Sequence, residues 1–99
     1  MIASHVAREQ ITIDNTAGGK ILTITNITGR VRYVEIQVLT AQIRVTHDGS
    51  TAPVAATTGN LWNPGDIKRV WGPGNLQNLK FIRESATSAT IVVDYWGER

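Results

Sequence analysis

The chain has no cysteine, one methionine, one phenylalanine and three prolines in 99 residues. Without cysteine there is neither a disulfide framework nor a thiolate metal site, so a small core must hold by packing alone. Two histidines are poor material for zinc, and neither a metal nor a cofactor is expected. No apolar run approaches the roughly 18 residues of a membrane-spanning helix, so no membrane partner is expected. The opening MIASHVAREQ holds no stretch of signal-peptide length, and a soluble chain made in the cytoplasm is the expectation. An excess of one charge is missing too. Ten Lys and Arg against eight Asp and Glu leave +2, and only Lys68-Arg69 and Arg30-x-Arg32 bring cations close together. No basic block is present to track a phosphate backbone, so nucleic acid is not an expected partner.

Helical periodicity is also scarce: no window repeats apolar residues at i, i+3, i+4 and i+7 with good helix formers between them. Thr, Val, Ile, Asn and Gly dominate, which suits pleated, half-buried surfaces and turns. Alternation predicts strands at Gln10–Asp14, Lys20–Thr25, Arg30–Val38 and Ala41–His47, a Thr-rich edge segment at 54–62, and strands at Ile67–Trp71, Leu76–Arg83 and Ala89–Trp96. The third and fourth are expected to form a hairpin across Leu39-Thr40. Turns separate the runs: DNTAGG, NITG, DGSTAP, NPGD and GPGN.

These seven or eight short strands predict one all-β domain over residues 1–99, an antiparallel β-sandwich or jelly roll, with residues 1–9 as an N-terminal arm. The expected core is Ile11, Ile13, Val34, Ile36, Val38, Ile43, Val45, Leu79, Phe81, Ile91 and Val93. In the last strand Ala89, Ile91, Val93 and Tyr95 share one face, and Thr90, Val92, Asp94 and Trp96 the other.

The stretch most like chemistry is His47-Asp48-Gly49-Ser50. A nucleophilic triad needs its members converging from separate rigid elements, whereas neighbours on an extended chain point to opposite faces. Asp-Gly after a strand is instead a strong turn signal. His5 has no partner in sequence, and pairing Asp66 with Asp94 as glycosidase carboxylates ignores their spacing. The glycines lack phosphate-loop spacing, and with no signal peptide expected NIT at Asn26 reads as a chance match to a glycosylation acceptor. No catalytic residue is assigned, and the chain is not expected to be an enzyme.

The aromatics are the least ordinary feature. Trp62 and Trp71 flank turn clusters and Trp96 lies near the C-terminus, where large amphipathic rings plug a sandwich or anchor a partner. Ile82, Val92 and Trp96 make the face opposite the core partly apolar, which favours an interface. Trp62, Trp71, Ile82, Val92 and Trp96 are therefore the candidate partner-interface residues. Read as stacking platforms, the three tryptophans instead suggest a carbohydrate or cell-surface binding module.

The segments VRYVEIQVLTAQIRVTHDGSTAP, NPGD and LKFIRESATSATIVVDYWG, spanning Val31 to Gly97, resemble small β-sandwich virion proteins of tailed bacteriophages, in particular capsid decoration (cement) proteins. The likeness lies in a hairpin ending in a DGS turn, a Pro-Gly-Asp turn and a closing strand pair. It implies a virion location after synthesis in the host cytoplasm, and a major capsid protein or another virion protein as partner. A homo-oligomer, with a trimer favoured, would suit that role. Tail and head-fibre proteins share the texture, and the resemblance implies no catalytic or cofactor residue.

Overall fold

The computed structural model describes residues 4–27 and 30–97. It is an all-β fold of two antiparallel sheets. Seven strands follow in chain order: β1 (Ser4–Ile13), β2 (Val31–Val38), β3 (Ile43–Thr46), β4 (Asn60–Trp62), β5 (Ile67–Trp71), β6 (Lys80–Arg83) and β7 (Ala89–Gly97). One sheet has the order β1-β7-β2-β5 and the other β4-β3-β6. A short helix α1 (Pro73–Asn78) separates β5 from β6.

The winding emerges once a single backbone bridge is included. Lys20 and Phe81 exchange N–H···O=C bonds of 2.7 and 2.8 Å, which sets Lys20 beside β6 as a vestigial strand between β1 and β2. Counted in, it makes eight strands, and first pairs with eighth, second with seventh, third with sixth and fourth with fifth. That is one long hairpin wound into two facing sheets, the jelly-roll form of a sandwich.

The expected strand at Lys20–Thr25 shrinks to this bridge for a local reason. Thr23 gives its N–H and hydroxyl to the Glu9 carboxylate, at 3.2 and 2.6 Å, and the chain coils into a 3₁₀ turn at Ile24–Asn26. Alternation survives in the burial alone, with Leu22 in the core and Ile21 exposed.

Three other expectations change. Strands β2 and β3 do not form a hairpin; they lie in different sheets. The joint between them lacks the Asn-Gly or Asp-Gly pair of a tight turn and is drawn toward β7, with Leu39 donating to the Thr90 carbonyl and Thr90 to the Thr40 hydroxyl. Of the expected N-terminal arm, residues 4–9 belong to β1, while residues 1–3 lie outside the described residues. The segment expected to be strand at Leu76–Asn78 is helical. Gly72, at φ 92°, turns the chain out of β5, Pro73 supplies a fixed φ at the first helical turn, and Leu76 donates back to Gly72 at 3.1 Å.

The core lies between the sheets. Every expected core residue is buried except Ile11, which packs against the cluster half-exposed. Leu22, Val31, Leu76, Ala89 and Tyr95 join them, and Tyr95 and Phe81 are the largest fully buried side chains. Each such side chain contributes on the order of 1.5–3 kcal/mol relative to exposure. Gly97 ends β7 where that strand passes the Val31/Tyr33 bulge of β2. A Cβ there would sit 1.9 Å from the Arg30 carbonyl oxygen, so only glycine fits.

Candidate functional site

Period-two alternation on the four-stranded sheet sends Tyr95, Val93 and Ile91 inward and Trp96, Asp94 and Val92 outward. The register then arranges the outward residues in rows that cross the sheet. In the first row His5 on β1 faces Trp96 on β7, Trp96 faces Tyr33 on β2, and Tyr33 faces Trp71 on β5. One ring per strand gives four rings side by side. Tyr33 and Trp71 stack at 4.3 Å, Tyr33 and Trp96 are nearly parallel at 6.4 Å, and His5 meets Trp96 edge-on at 5.2 Å.

The second row is charged: Arg8, Asp94, Glu35 and Arg69 stand across from one another in strand order. Cations occupy both edges and carboxylates the middle. Asp94 takes His5 Nε2 at 2.9 Å and Arg8 at 3.5 Å, and Glu35 takes Arg69 at 3.3 Å. The Arg69 guanidinium also lies 5.6 Å from the Tyr33 ring centre, a cation–π approach that ties the two rows together. Gln10, Val92, Gln37 and Ile67 form the third row.

The structure brings together three of the five candidate residues. Trp71 is exposed, and Val92 and Trp96 are half-buried on this face. Trp62 and Ile82 are corrections. Trp62 is 5% exposed and belongs to the core, edge-on to Phe81 at 6.1 Å with Lys68 Nζ 6.0 Å from its ring. Its side chain follows the inward alternation of β4 between exposed Leu61 and the turn at Asn63.

Ile82 does point away from the core, on the outer face of the three-stranded sheet, yet only 8% of it is exposed. Its cross-strand neighbour Arg44 reaches past it to Glu84, with Nε–Oε1 at 3.0 Å and Nη2–Oε2 at 2.9 Å. Arg44 also donates to the Gly59 carbonyl and Glu84 accepts the Ala56 N–H, so the 54–59 turn is held down over that face.

His5, Tyr33 and Arg69 were not among the interface candidates read from sequence. Alternation puts Tyr33 outward, but only the register between distant strands shows that it sits between two tryptophans.

The carboxylates among the described residues already have tasks. Glu9 projects from β1 on the core side and accepts from Thr23, from Asn26 at 3.2 Å and from the Tyr95 hydroxyl. Burial alone would raise its pKa, but donation from Thr23, Tyr95 and Asn26 outweighs that and holds the carboxyl below its ordinary value. Burial, and then the Glu9 carboxylate, push the Tyr95 phenol well above its usual range.

Asp48 makes the turn read from sequence. Its Oδ1 accepts the Ser50 and Thr51 N–H groups, its Oδ2 the Thr51 hydroxyl, and Gly49 takes φ 77°. Asp66 closes the NPGD turn by accepting the Asn63 N–H at 2.8 Å, a different task from that of Asp94. Asp14 caps its own turn through Thr16, and Glu84 holds Arg44. Among the described residues, no three His, Asp or Glu side chains gather as a metal site would require, and the surface encloses no cavity.

The largest organised feature of the surface is therefore the row of rings with its charged neighbour row. Compared with known proteins, the chain matches no family model, no curated protein and no solved structure.

Proposed function

We propose that this protein is a non-enzymatic structural component of a phage particle, a decoration protein that attaches to the outer capsid surface as a homo-oligomer, with a trimer favoured, and reinforces it. The observation that carries the reading is the His5–Trp96–Tyr33–Trp71 row on an outer sheet face. Aromatic side chains grouped beside paired charges are the contacts that dominate binding energy where proteins meet. A small disulfide-free domain that binds only when folded gains apparent stability from its partner. Copies joined in an oligomer multiply a weak contact into a durable one. The jelly-roll winding is shared by viral capsid and lectin domains, so it is compatible with this role without assigning it.

The test starts from the genes flanking this one. Shells assembled from a major capsid protein encoded among them are sedimented with the unaltered protein and with the Tyr33→Ala variant. Co-sedimentation that the variant loses, with shells that resist heat better when coated, supports the reading. Shells that sediment bare would overturn the capsid role, and a neighbourhood of tail genes would move the protein to a tail or head fibre.

A second reading, a carbohydrate-binding module, is favoured by one observation: Trp71, stacked on Tyr33, is still 54% exposed. It predicts a glycan-dependent change in tryptophan fluorescence that Trp71→Ala abolishes. Silence across a broad glycan panel would dispose of it.

A further inference from the structure

The free edge of β5 carries an inference that stands whether or not the partner is a capsid. Strand β5 pairs with β2 alone. At its two ends the ladder is closed by Val38 N–H to the Asp66 carbonyl and by Gly72 N–H to the Arg32 carbonyl. In an antiparallel pair, bonding toward one neighbour alternates along the strand. Asp66, Lys68, Val70 and Gly72 therefore face β2, and Ile67, Arg69 and Trp71 turn their N–H and C=O groups away from the sheet. Among the described residues, the contact made by these outward groups is the Asn75 amide on the Trp71 carbonyl, which closes one end of the edge.

The side chains on this edge match the backbone. Ile67 and Trp71, at 61% and 54%, are the two most exposed large apolar side chains described, and they bracket Arg69 on the outward face. Lys68, next along the strand, adds a second cation on the opposite, inward face, its Nζ 6.0 Å from the Trp62 ring centre. We propose that β5 docks an extended segment of a partner protein by antiparallel strand addition, the segment carrying an acidic side chain opposite Arg69 between apolar ones opposite Ile67 and Trp71. A second copy of the chain is the weaker occupant. Two β5 edges in full overlap would set Arg69 against Arg69, and the opposite edge of the same sheet carries Arg8. Like charges directly across a ladder are destabilising.

The probe is an acetylated, amidated peptide, Thr-Phe-Thr-Glu-Asp-Val-Thr, titrated into the ¹⁵N-labelled full chain. The expected result is a shift of the Ile67, Arg69 and Trp71 amide signals, with affinity falling about tenfold in Arg69→Glu and in a peptide with both acids replaced by lysine. A peptide N-methylated at alternate amides tests strand addition without touching the protein's fold, and it must bind far more weakly. Unmoved signals at millimolar peptide, or equal binding of the lysine peptide, would overturn the proposal. So would broadening of the same three signals with protein concentration in the absence of peptide, which would give the edge to a second copy. Capsid sedimentation can fail while this titration succeeds, so the two readings fall separately.

Discussion

Where β1 runs beside β6, the two sheets are stitched together: Arg83 donates to the Asp14 carbonyl, Lys20 and Phe81 exchange backbone bonds, and Glu9 gathers Thr23, Asn26 and the Tyr95 hydroxyl. On the side where β4 turns into β5 the lacing is lighter, with Gly65 N–H on the Val38 carbonyl, Gln42 on Asn63 and Lys68 over the Trp62 ring, and β5 presents Ile67, Arg69 and Trp71 outward. Both sides are made from the same alternating, β-branched sequence. They differ in whether a polar side chain was placed to draw a neighbouring loop across. Glu9, on the core side of β1, does this by accepting three side-chain donors at once. Lys68 and Arg69 keep the opposite edge charged, the ordinary guard against indiscriminate strand pairing, and leave it selective for an acidic partner.

The contrast can be broken most severely from the stitched side. Phe81→Ala removes a fully buried ring beneath the Lys20 bridge, and about 3–5 kcal/mol of stability should go with it, measured by urea unfolding. Tyr95→Phe keeps the packing and deletes only the hydroxyl bonded to Glu9, for an expected loss of about 1–2 kcal/mol.

Acid titration sharpens the same point. The Glu9 carboxyl is depressed in the folded chain, so its contribution is complete above the ordinary value of 4.5 and is lost as pH falls through the lower folded-state value. Glu9→Gln should flatten that part of the acid limb in a plot of stability against pH. The limb will not vanish, because Asp14, Asp48 and Glu84 are depressed as well. The smallest effect is expected on the open side: Ile67→Thr should shift stability by less than about 0.5 kcal/mol while weakening whatever binds there. An Ile67 variant as damaging as Phe81→Ala would show that the edge is structural.

Much of the fold was legible because burial in a sandwich follows a period of two. The inward faces of β2, β3 and β7 could be read directly from Val34-x-Ile36-x-Val38, Ile43-x-Val45 and Ile91-x-Val93. What escaped were features set by distant partners. Thr23 leaves the strand pattern because Glu9, far away in sequence, takes its donors. Leu76 looked like a strand residue because its helix is six residues long, too brief for periodicity to register.

The candidate surface was half legible. Trp71, Trp96 and Val92 stand on it, and alternation gave their direction. Trp62 and Ile82 were misread because exposure depends on what folds over a residue, here the facing four-stranded sheet with Lys68 over the ring in one case and the Arg44–Glu84 pair in the other. The row of rings needed the register of three strand pairings, which no local spacing encodes.

Amide hydrogen exchange on the free protein, read residue by residue, asks directly whether one side is sealed and the other available. The Lys20 and Phe81 amides should exchange only through global unfolding, while those of Ile67, Arg69 and Trp71 exchange orders of magnitude faster. Equal protection at Ile67, Arg69 and Trp71 would mean that the β5 edge is already occupied, and the division between a stitched side and an open one would be wrong.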